Sequence, residues 1–209
     1  MIIINTKNYK TGKALLKLAK LIERYLPKAI IAVPATDIST IKQHTRLKII
    51  AQHVDNKDSG RTTGYVLAES IKAHGAIGTL LNHSEHHLHG EILKETISRC
   101  HKLKLQTFVC VHDVAAANMV RAWKPTAIAY EDPSLIGTGK PITFYQSNSL
   151  REFVSSLKNT TITSVCGAGI SSAEDVKAAR AIGCKGVLIA SAIANTTNPE
   201  KLLKELKKI

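Results

Sequence analysis

Short runs of β-branched and other apolar residues alternate with segments of helical periodicity from one end of the chain to the other. Most of the runs are largely apolar along their length, which is typical of parallel strands buried on both faces. There are eight runs, each followed by a helical segment, and eight strand–helix units are the number that closes a parallel barrel. An open, doubly wound sheet is the alternative. The runs lie at residues 2–4, 29–33, 47–51, 76–81, 105–111, 127–130, 161–165 and 186–190.

The segments between the runs carry apolar residues at helical spacing. In the first segment Leu15, Leu18 and Ile22 fall on one side of a helix. No low-complexity linker and no shift in composition divides the 209 residues. We therefore predict an α/β fold in which residues 1–209 form a single (β/α)8-barrel domain.

The composition argues against several classes of protein. No apolar run approaches the roughly 18 residues of a membrane-spanning helix, and residues 1–5 lack the basic region of a signal peptide. The cysteines show no close pairing, which predicts reduced thiols in a cytoplasmic protein without a membrane partner. They are Cys100, Cys110, Cys166 and Cys184.

The formal net charge of the chain is +13. Such a charge permits nucleic-acid binding or the attraction of an anionic substrate. The lysines are spread over many amphipathic segments, which favours a solvated surface over a nucleic-acid site. A barrel reused as a basic binding protein is the competing hypothesis, and it would bind DNA or RNA with a steep dependence on salt.

Polar side chains follow the first predicted strand directly. In a parallel barrel all strands end on one face, and chemistry gathers there. Asn5 can donate a hydrogen bond to an oxygen, and Lys7 adds a positive charge for an anion or a developing oxyanion. A turn asparagine beside a surface lysine is the alternative interpretation.

His83 lies two residues beyond the fourth run. We expect a helix to begin there, with Ser84 as its cap and Glu85 in its first turn. A helix N-terminus destabilises imidazolium, so His83 is expected to be neutral and to act as a hydrogen-bond donor. A metal site built from the neighbouring histidines is the alternative, and the lack of a second carboxylate-rich cluster argues against it.

Glu131 directly follows the sixth run, and a stretch that disfavours regular structure comes after it. Asp132-Pro133 interrupts the backbone pattern, and Gly137-Thr138-Gly139 supplies backbone that can move and approach a ligand. A carboxylate at a strand end before a glycine loop suits a general base covered by a lid. A solvated glutamate before an ordinary turn is the alternative.

Glycines and small residues follow the last two runs. Gly167 and Gly169 precede a helix that Ser172 can cap, so backbone N–H groups at its N-terminus would form a phosphate cradle. Ala190 and Ser191 again allow backbone to approach a ligand. With a base, a neutral donor and a cation, this set suits proton abstraction beside a carbonyl on a small phosphorylated sugar. No nicotinamide, flavin or nucleotide motif is present.

Several of these stretches together resemble the triosephosphate isomerase family, specifically its shorter archaeal form. The likeness covers about nine tenths of the chain, with each motif in the expected order. The residues that carry it are Asn5-Thr6-Lys7, Gln52-His53, Thr63-Gly64-Tyr65-Val66-Leu67, Gly78 through Glu85, Leu135-Ile136-Gly137-Thr138-Gly139 and Cys166-Gly167-Ala168-Gly169-Ile170-Ser171.

The resemblance implies a TIM barrel that interconverts dihydroxyacetone phosphate and D-glyceraldehyde 3-phosphate without a metal or organic cofactor. It implies that Glu131 moves a proton between two carbons through an enediolate, that His83 polarises the carbonyl oxygens and that Lys7 stabilises negative charge. Glu85 resembles a carboxylate that supports Lys7. The substrate-binding residues that it implies are Asn5, Thr6, Lys7, Ile136, Gly137, Gly169, Ala190 and Ser191.

The resemblance also implies an oligomer. The loop at residues 53–64 is similar to one that docks into a neighbouring subunit, with Thr63 near the partner's site. A homodimer is then the minimum, and the archaeal form implies a homotetramer. Another sugar-phosphate barrel, such as an epimerase or an indole-forming lyase, is the competing enzyme class.

Three positions depart from the family pattern. Asp132 stands where proline is frequent, Thr6 where a bulky residue is common, and Ala192-Ile193 where a smaller pair is usual. These departures concern the hinge, the packing beneath Lys7 and the phosphate contact, respectively.

Overall fold

The computed structural model of the protein describes residues 1–131 and 147–209. Eight parallel strands form a closed barrel in chain order. The barrel closes where β8 pairs with β1, with Ile3 opposite Leu188. The predicted barrel is therefore confirmed and the open sheet is excluded. The strands are β1 Ile2–Asn5, β2 Ile30–Val33, β3 Lys48–Ala51, β4 Gly78–Leu81, β5 Gln106–Val111, β6 Ala127–Tyr130, β7 Thr163–Cys166 and β8 Gly186–Ile189.

Helices cover the outside of the barrel. A short 3-10 helix, Ala35–Asp37, precedes α2. The α-helices of the described residues are α1 Gly12–Tyr25, α2 Ile38–His44, α3 Ala68–Ala73, α4 Gly90–Lys102, α5 Val114–Arg121, α6 Ser147–Ser156, α7 Ala173–Ile182, α8 Ser191–Ala194 and α9 Pro199–Leu206.

Alternate residues of each strand enter two separate hydrophobic cores, because successive side chains of a strand point to opposite faces. The inner core fills the barrel with residues such as Ile3, Phe108 and Leu188. The outer core packs strand residues such as Ile4 and Val109 against the helices. Burial on both faces explains why the runs read as continuous apolar sequence.

The inner-core pattern determines which polar residues can reach the barrel mouth. Ala129 of β6 lies in the inner core, and Glu131 is two residues further along the chain. Asn5 follows Ile3 with the same spacing, and Gly167 follows Val165. Each therefore continues the inward-facing row at the carboxyl end of its strand.

Two further properties concern the cysteines and the helices. All four cysteines are buried free thiols. Across residues 1–131 and 147–209, no helix has both the length and the apolar character that crossing a membrane requires.

Candidate active site

Glu131 is a buried carboxylate at the mouth of the barrel. Its side chain is 4% exposed, and its Oε1 lies 3.6 Å from Nε2 of His83. Its backbone N–H donates to the carbonyl oxygen of Val111 at 2.8 Å, which continues the sheet pairing one residue past β6. Its Oε2 accepts no hydrogen bond from the described residues. One carboxylate oxygen is therefore free to accept a proton.

Burial raises the pKa of Glu131 to about 7, because a carboxylate loses hydration there. The Cys110 thiol, the Lys7 cation and the Ser84 backbone N–H oppose this rise in pKa. Burial prevails, and a carboxyl group with a pKa near 7 is suited to taking up and releasing a proton at neutral pH.

The segment after β4 is a turn and not the predicted helix. The backbone N–H of His86 donates to the carbonyl oxygen of His83 at 2.8 Å, and α4 begins only at Gly90, with His89 as its N-cap. The expectation that Ser84 caps a helix is therefore wrong. The Ser84 hydroxyl is instead buried without a hydrogen-bond partner among the described residues.

His83 is neutral, as predicted, but the cause differs. The pKa of His83 is lowered to about 4, chiefly by burial and also by the nearby Lys7 cation, against the opposing charge of Glu85. The backbone N–H of Glu85 donates to Nδ1 of His83 at 3.1 Å. Because Nδ1 accepts this bond, the neutral ring carries its proton on Nε2, the nitrogen that lies near Glu131.

Lys7 is held in a left-handed backbone conformation, with φ of +45°. Its backbone N–H donates to Oδ1 of Asn5 at 3.0 Å, and the Gln52 amide donates to its carbonyl oxygen at 2.8 Å. Its Nζ forms an ion pair with Oε1 of Glu85 at 2.6 Å, in line with the expected support from that carboxylate. A strained backbone that neighbouring groups hold in place is typical of a functional position.

Thr6 does not face substrate space. Its side chain is fully buried, and its hydroxyl donates to the carbonyl oxygen of Ala32 at 2.9 Å. The Thr6 side chain therefore lies between strands β1 and β2, and the predicted substrate contact of Thr6 stays a prediction. Gln52, whose amide lies 3.3 Å from the Thr6 hydroxyl, packs in the same place beneath Lys7.

A cavity of about 250 Å³ brings the predicted groups together. Lys7, His83 and Glu131 line it together with the loops after β7 and β8. These loops contribute Gly169, Ala190 and Ser191, which the sequence predicted as substrate-binding residues. The remaining lining residues are Tyr9, Gly167, Ala168, Ile170, Ser171, Leu188 and Ala192.

The loops after β7 and β8 offer different backbone donors. The N–H groups of Ser171 and Ser172 both donate to Oδ2 of Asp175 at 2.9 Å, within the capping box of α7, so they are already occupied. Two other backbone N–H groups have no hydrogen-bond acceptor in the described residues. They belong to Gly169, which has φ of +67°, and to Ser191, the first residue of α8. Among these four N–H groups, those of Gly169 and Ser191 are therefore the ones without a partner in the described residues, and the phosphate cradle stays a prediction.

Gly167 has a function that the sequence did not reveal. A Cβ at this position would lie 2.5 Å from Cγ of Glu131 and 3.0 Å from the carbonyl oxygen of Tyr130. Only glycine leaves room for the carboxylate in its observed position. The sequence signal was the inward-facing spacing after Val165.

Asn5 lines a second cavity, of about 210 Å³, which shares Lys7 and His83 with the first. Gln52, His53 and Glu85 also line it. Thr63 is exposed in the loop between β3 and α3, and it lines neither cavity within its own chain. Ile136 and Gly137, the predicted lid residues, and Asp132 lie outside the described residues.

Three further residues at the mouth were missed as site residues in the sequence: Tyr9, Gln52 and Cys110. Cys110 belongs to the inner core beneath Glu131, and Tyr9 lines the larger cavity although it is 42% exposed. As for metal ligands, residues 1–131 and 147–209 contain no group of three or more His, Cys, Asp and Glu side chains that could hold an ion.

The fold and the site define a (β/α)8-barrel protein of the acid–base type. A buried carboxylate with a pKa near 7, a neutral imidazole and a lysine meet where eight parallel strands end. Backbone donors for an anion lie across the cavity. Such a set can move a proton beside a carbonyl group of an anionic substrate.

Comparison with known proteins identifies the family. The family model for triosephosphate isomerase matches residues 1–206. Triosephosphate isomerase of Methanocaldococcus jannaschii is 37% identical over 216 residues, which cover 100% of this chain and 99% of that protein. The enzyme of Sulfolobus acidocaldarius is 36% identical over 215 residues, covering 100% of this chain and 94% of that protein.

The chain belongs to the triosephosphate isomerase family, and it is an isomerase that interconverts dihydroxyacetone phosphate and D-glyceraldehyde 3-phosphate, a reaction of glycolysis. The resemblance read from the sequence is thereby confirmed.

Proposed function

We propose that Glu131, His83 and Lys7 carry out this interconversion. The observation that carries the proposal is the 3.6 Å separation between a carboxylate oxygen of Glu131 and Nε2 of His83 at the wall of the cavity. Glu131 takes a proton from the carbon beside the substrate carbonyl, which leaves an enediolate. It then returns the proton to the neighbouring carbon while the hydroxyl proton passes from one substrate oxygen to the other, so the carbonyl and hydroxyl groups exchange places.

His83 donates from Nε2 to the substrate oxygens as negative charge develops on them. A neutral donor suits this role, because the hydrogen bond from Glu85 to Nδ1 leaves the other ring nitrogen protonated. Lys7 stabilises the same charge, and its position is supported by Glu85 and Asn5. Asn5 orients the substrate oxygen from behind Lys7.

The phosphate group of the substrate binds to the loops after β7 and β8. Gly169 and Ser191 line the same cavity as Glu131, their backbone N–H groups have no acceptor in the described residues, and Ala190 leaves room for a close approach. Backbone donors can hold a dianion in a fixed place without side chains that move. Ile136 and Gly137 belong to the lid in this proposal.

The chain acts as a homo-oligomer, a dimer at least and a tetramer as the resemblance to the archaeal form implies. In this proposal a segment of a neighbouring subunit enters the second cavity, which Lys7 and Glu85 line. Asp55 supports the base of the loop between β3 and α3, where its backbone N–H donates to Val66 O at 2.8 Å and its carboxylate accepts from Val66 N–H at 2.7 Å. The exposed Thr63 then reaches the partner's cavity.

Residues 1–209 work as one catalytic domain in the cytoplasm, without metal or organic cofactor, in gluconeogenesis as well as in glycolysis. The four buried free thiols support a reducing compartment. Sedimentation analysis of the purified protein tests the oligomer, and a monomer of full activity would contradict the proposed dependence on the partner's Thr63 loop.

A coupled assay with D-glyceraldehyde 3-phosphate tests the catalytic assignment. We expect Glu131→Gln to lower turnover by about 10³–10⁴-fold, because a positioned base contributes on this scale. We expect His83→Gln to lower turnover by about 10²-fold, since glutamine supplies another donor. Near-normal turnover of Glu131→Gln, with the fold intact by circular dichroism, would exclude Glu131 as the base.

A further inference from the structure

Asn82 is the residue between β4 and the turn that carries His83. Its backbone is left-handed, with φ of +56°. This conformation is strained for most residues that have a side chain, and asparagine is among those that tolerate it best. The chain changes direction at Asn82, so the conformation of this residue determines where His83 lies.

The side chain of Asn82 makes two hydrogen bonds to different parts of the mouth. Its Nδ2 donates to the carbonyl oxygen of Cys110 in β5 at 2.9 Å. Its Oδ1 accepts from the backbone N–H of Leu88 at 2.9 Å. The amide thus joins the two ends of the turn at residues 82–88 and attaches them to the neighbouring strand.

This turn has no helical hydrogen-bond ladder of its own, because α4 begins only at Gly90. Inside it, the backbone N–H groups of Glu85 and His86 donate to Nδ1 and to the carbonyl oxygen of His83. The Glu85 side chain reaches out of the same turn to Lys7. A change in the turn therefore moves the imidazole and the ion pair together.

We propose that Asn82 is a positioning residue for the isomerisation, acting through His83 and Glu85. The proposal rests on the role of His83 proposed above. Asn82 holds the turn so that Glu85 N–H stays on Nδ1 of His83, which keeps the imidazole proton on Nε2. Its hydrogen bonds organise the segment in which the sequence predicts a helix beginning at Ser84.

Asn82→Gly tests this role, because glycine keeps the left-handed backbone without strain and removes both side-chain hydrogen bonds. We expect kcat to fall by about 10–100-fold and KM to change by less than about threefold, since small displacements of a reacting group have effects of this size. The nitrogen NMR resonances of His83 should move from those of a single tautomer toward a tautomeric average.

Asn82→Asp provides a second variant, because aspartate keeps the acceptor for Leu88 N–H and loses the donor to Cys110. We expect it to retain the wild-type tautomer of His83. Lys104→Gly is the matched control, since Lys104 is also left-handed but lies in a turn before β5. It should leave kcat and the His83 resonances unchanged.

A melting temperature that falls in Asn82→Gly with kcat and the His83 resonances unchanged would overturn the proposal, because a merely structural residue behaves in this way. A tautomeric average in Asn82→Asp as well would also overturn it. The NMR measurement does not depend on activity. If His83→Gln proves fully active, the proposed role of His83 fails while the resonances still report whether Asn82 holds the ring.

Discussion

The two ends of the barrel use the same uncommon backbone conformation for different purposes. Among the described residues, the non-glycine residues with positive φ are two at each end. Lys7 and Asn82 follow β1 and β4 at the mouth, whereas Lys104 and Lys124 precede β5 and β6 at the opposite end. For most residues with a side chain this conformation costs roughly 1–2 kcal/mol.

At the opposite end the left-handed residue terminates a helix. After α4, the N–H of Lys104 donates to His101 O at 2.9 Å and that of Leu105 to Cys100 O at 2.8 Å. Gly183 does the same after α7 with φ of +108°. This is the usual glycine-type end of a helix, satisfied by backbone alone.

At the mouth side-chain hydrogen bonds hold the left-handed residues. Gln52 donates to the carbonyl oxygen of Lys7, and Asn82 itself bonds to Cys110 and Leu88. At the opposite end of the barrel the strained backbone terminates a helix. At the mouth it sets the direction of functional groups, which long-range hydrogen bonds then hold in place. Substitutions at the two ends should therefore affect different properties.

The largest effect that separates the two ends is expected at Gly167 in the mouth. Gly167→Ala places a Cβ 2.5 Å from Cγ of Glu131 and must displace the carboxylate. We expect kcat to fall by about 10²-fold, because the base no longer meets the reacting carbon. Gly90→Ala is the control, since a Cβ there meets no atom within 4 Å. Equal activity of the two variants in the coupled assay would contradict the assigned packing.

The pH dependence of catalysis is expected to be set by Glu131 at the mouth and not by groups elsewhere in the molecule. Burial raises the pKa of Glu131 to about 7, and the base must be deprotonated to act. We expect kcat/KM of the wild type to fall about tenfold per pH unit below pH 7. A profile that is flat down to pH 5 would show that no group with this pKa limits the reaction.

The burial of Glu131 also lowers the free energy of unfolding at neutral and higher pH. Since the pKa of Glu131 is raised in the folded state from 4.5 to about 7, the folded protein binds more protons in this window and loses stability as pH rises through it. Glu131→Gln should therefore be more stable than the wild type above pH 7, by about 3 kcal/mol, and about equal to it below pH 4.5.

Urea unfolding at pH 4 and pH 8 measures this difference. Glu91→Gln is the control, because the Glu91 side chain is 82% exposed and should show no such dependence. A Glu131→Gln variant with the same stability as the wild type at both pH values would mean that the carboxylate pays no cost of burial.

The smallest effects are expected at the opposite end. Lys104→Gly should raise the unfolding free energy by about 0.5–1 kcal/mol, because glycine adopts the left-handed conformation without a Cβ clash. Gly183→Ala should lower it, since φ is +108° and a Cβ would lie 3.0 Å from Cγ1 of Val154. Activity should remain unchanged in both variants, and a tenfold loss in either would remove the contrast between the two ends.

The sequence predicted the barrel because its signals are local. Continuous apolar runs and helical spacing reflect burial of each strand between two cores, as found for Ile3 and Ile4. The predicted residues Lys7, His83 and Glu131 line one cavity for a related reason. Parallel strands all end on one face, so a polar residue just beyond a strand end has few other places to go.

The tertiary structure alone decided the protonation and the orientation of those residues. The helix predicted at Ser84 begins at Gly90, and His83 is neutral through burial and Lys7 instead of a helix N-terminus. Local sequence cannot show that Lys7 meets Glu85, which is 78 residues away. The sequence by itself determined which groups stand at the ends of the strands, whereas burial and long-range hydrogen bonds, which exist only once the barrel is closed, decided their protonation and their direction.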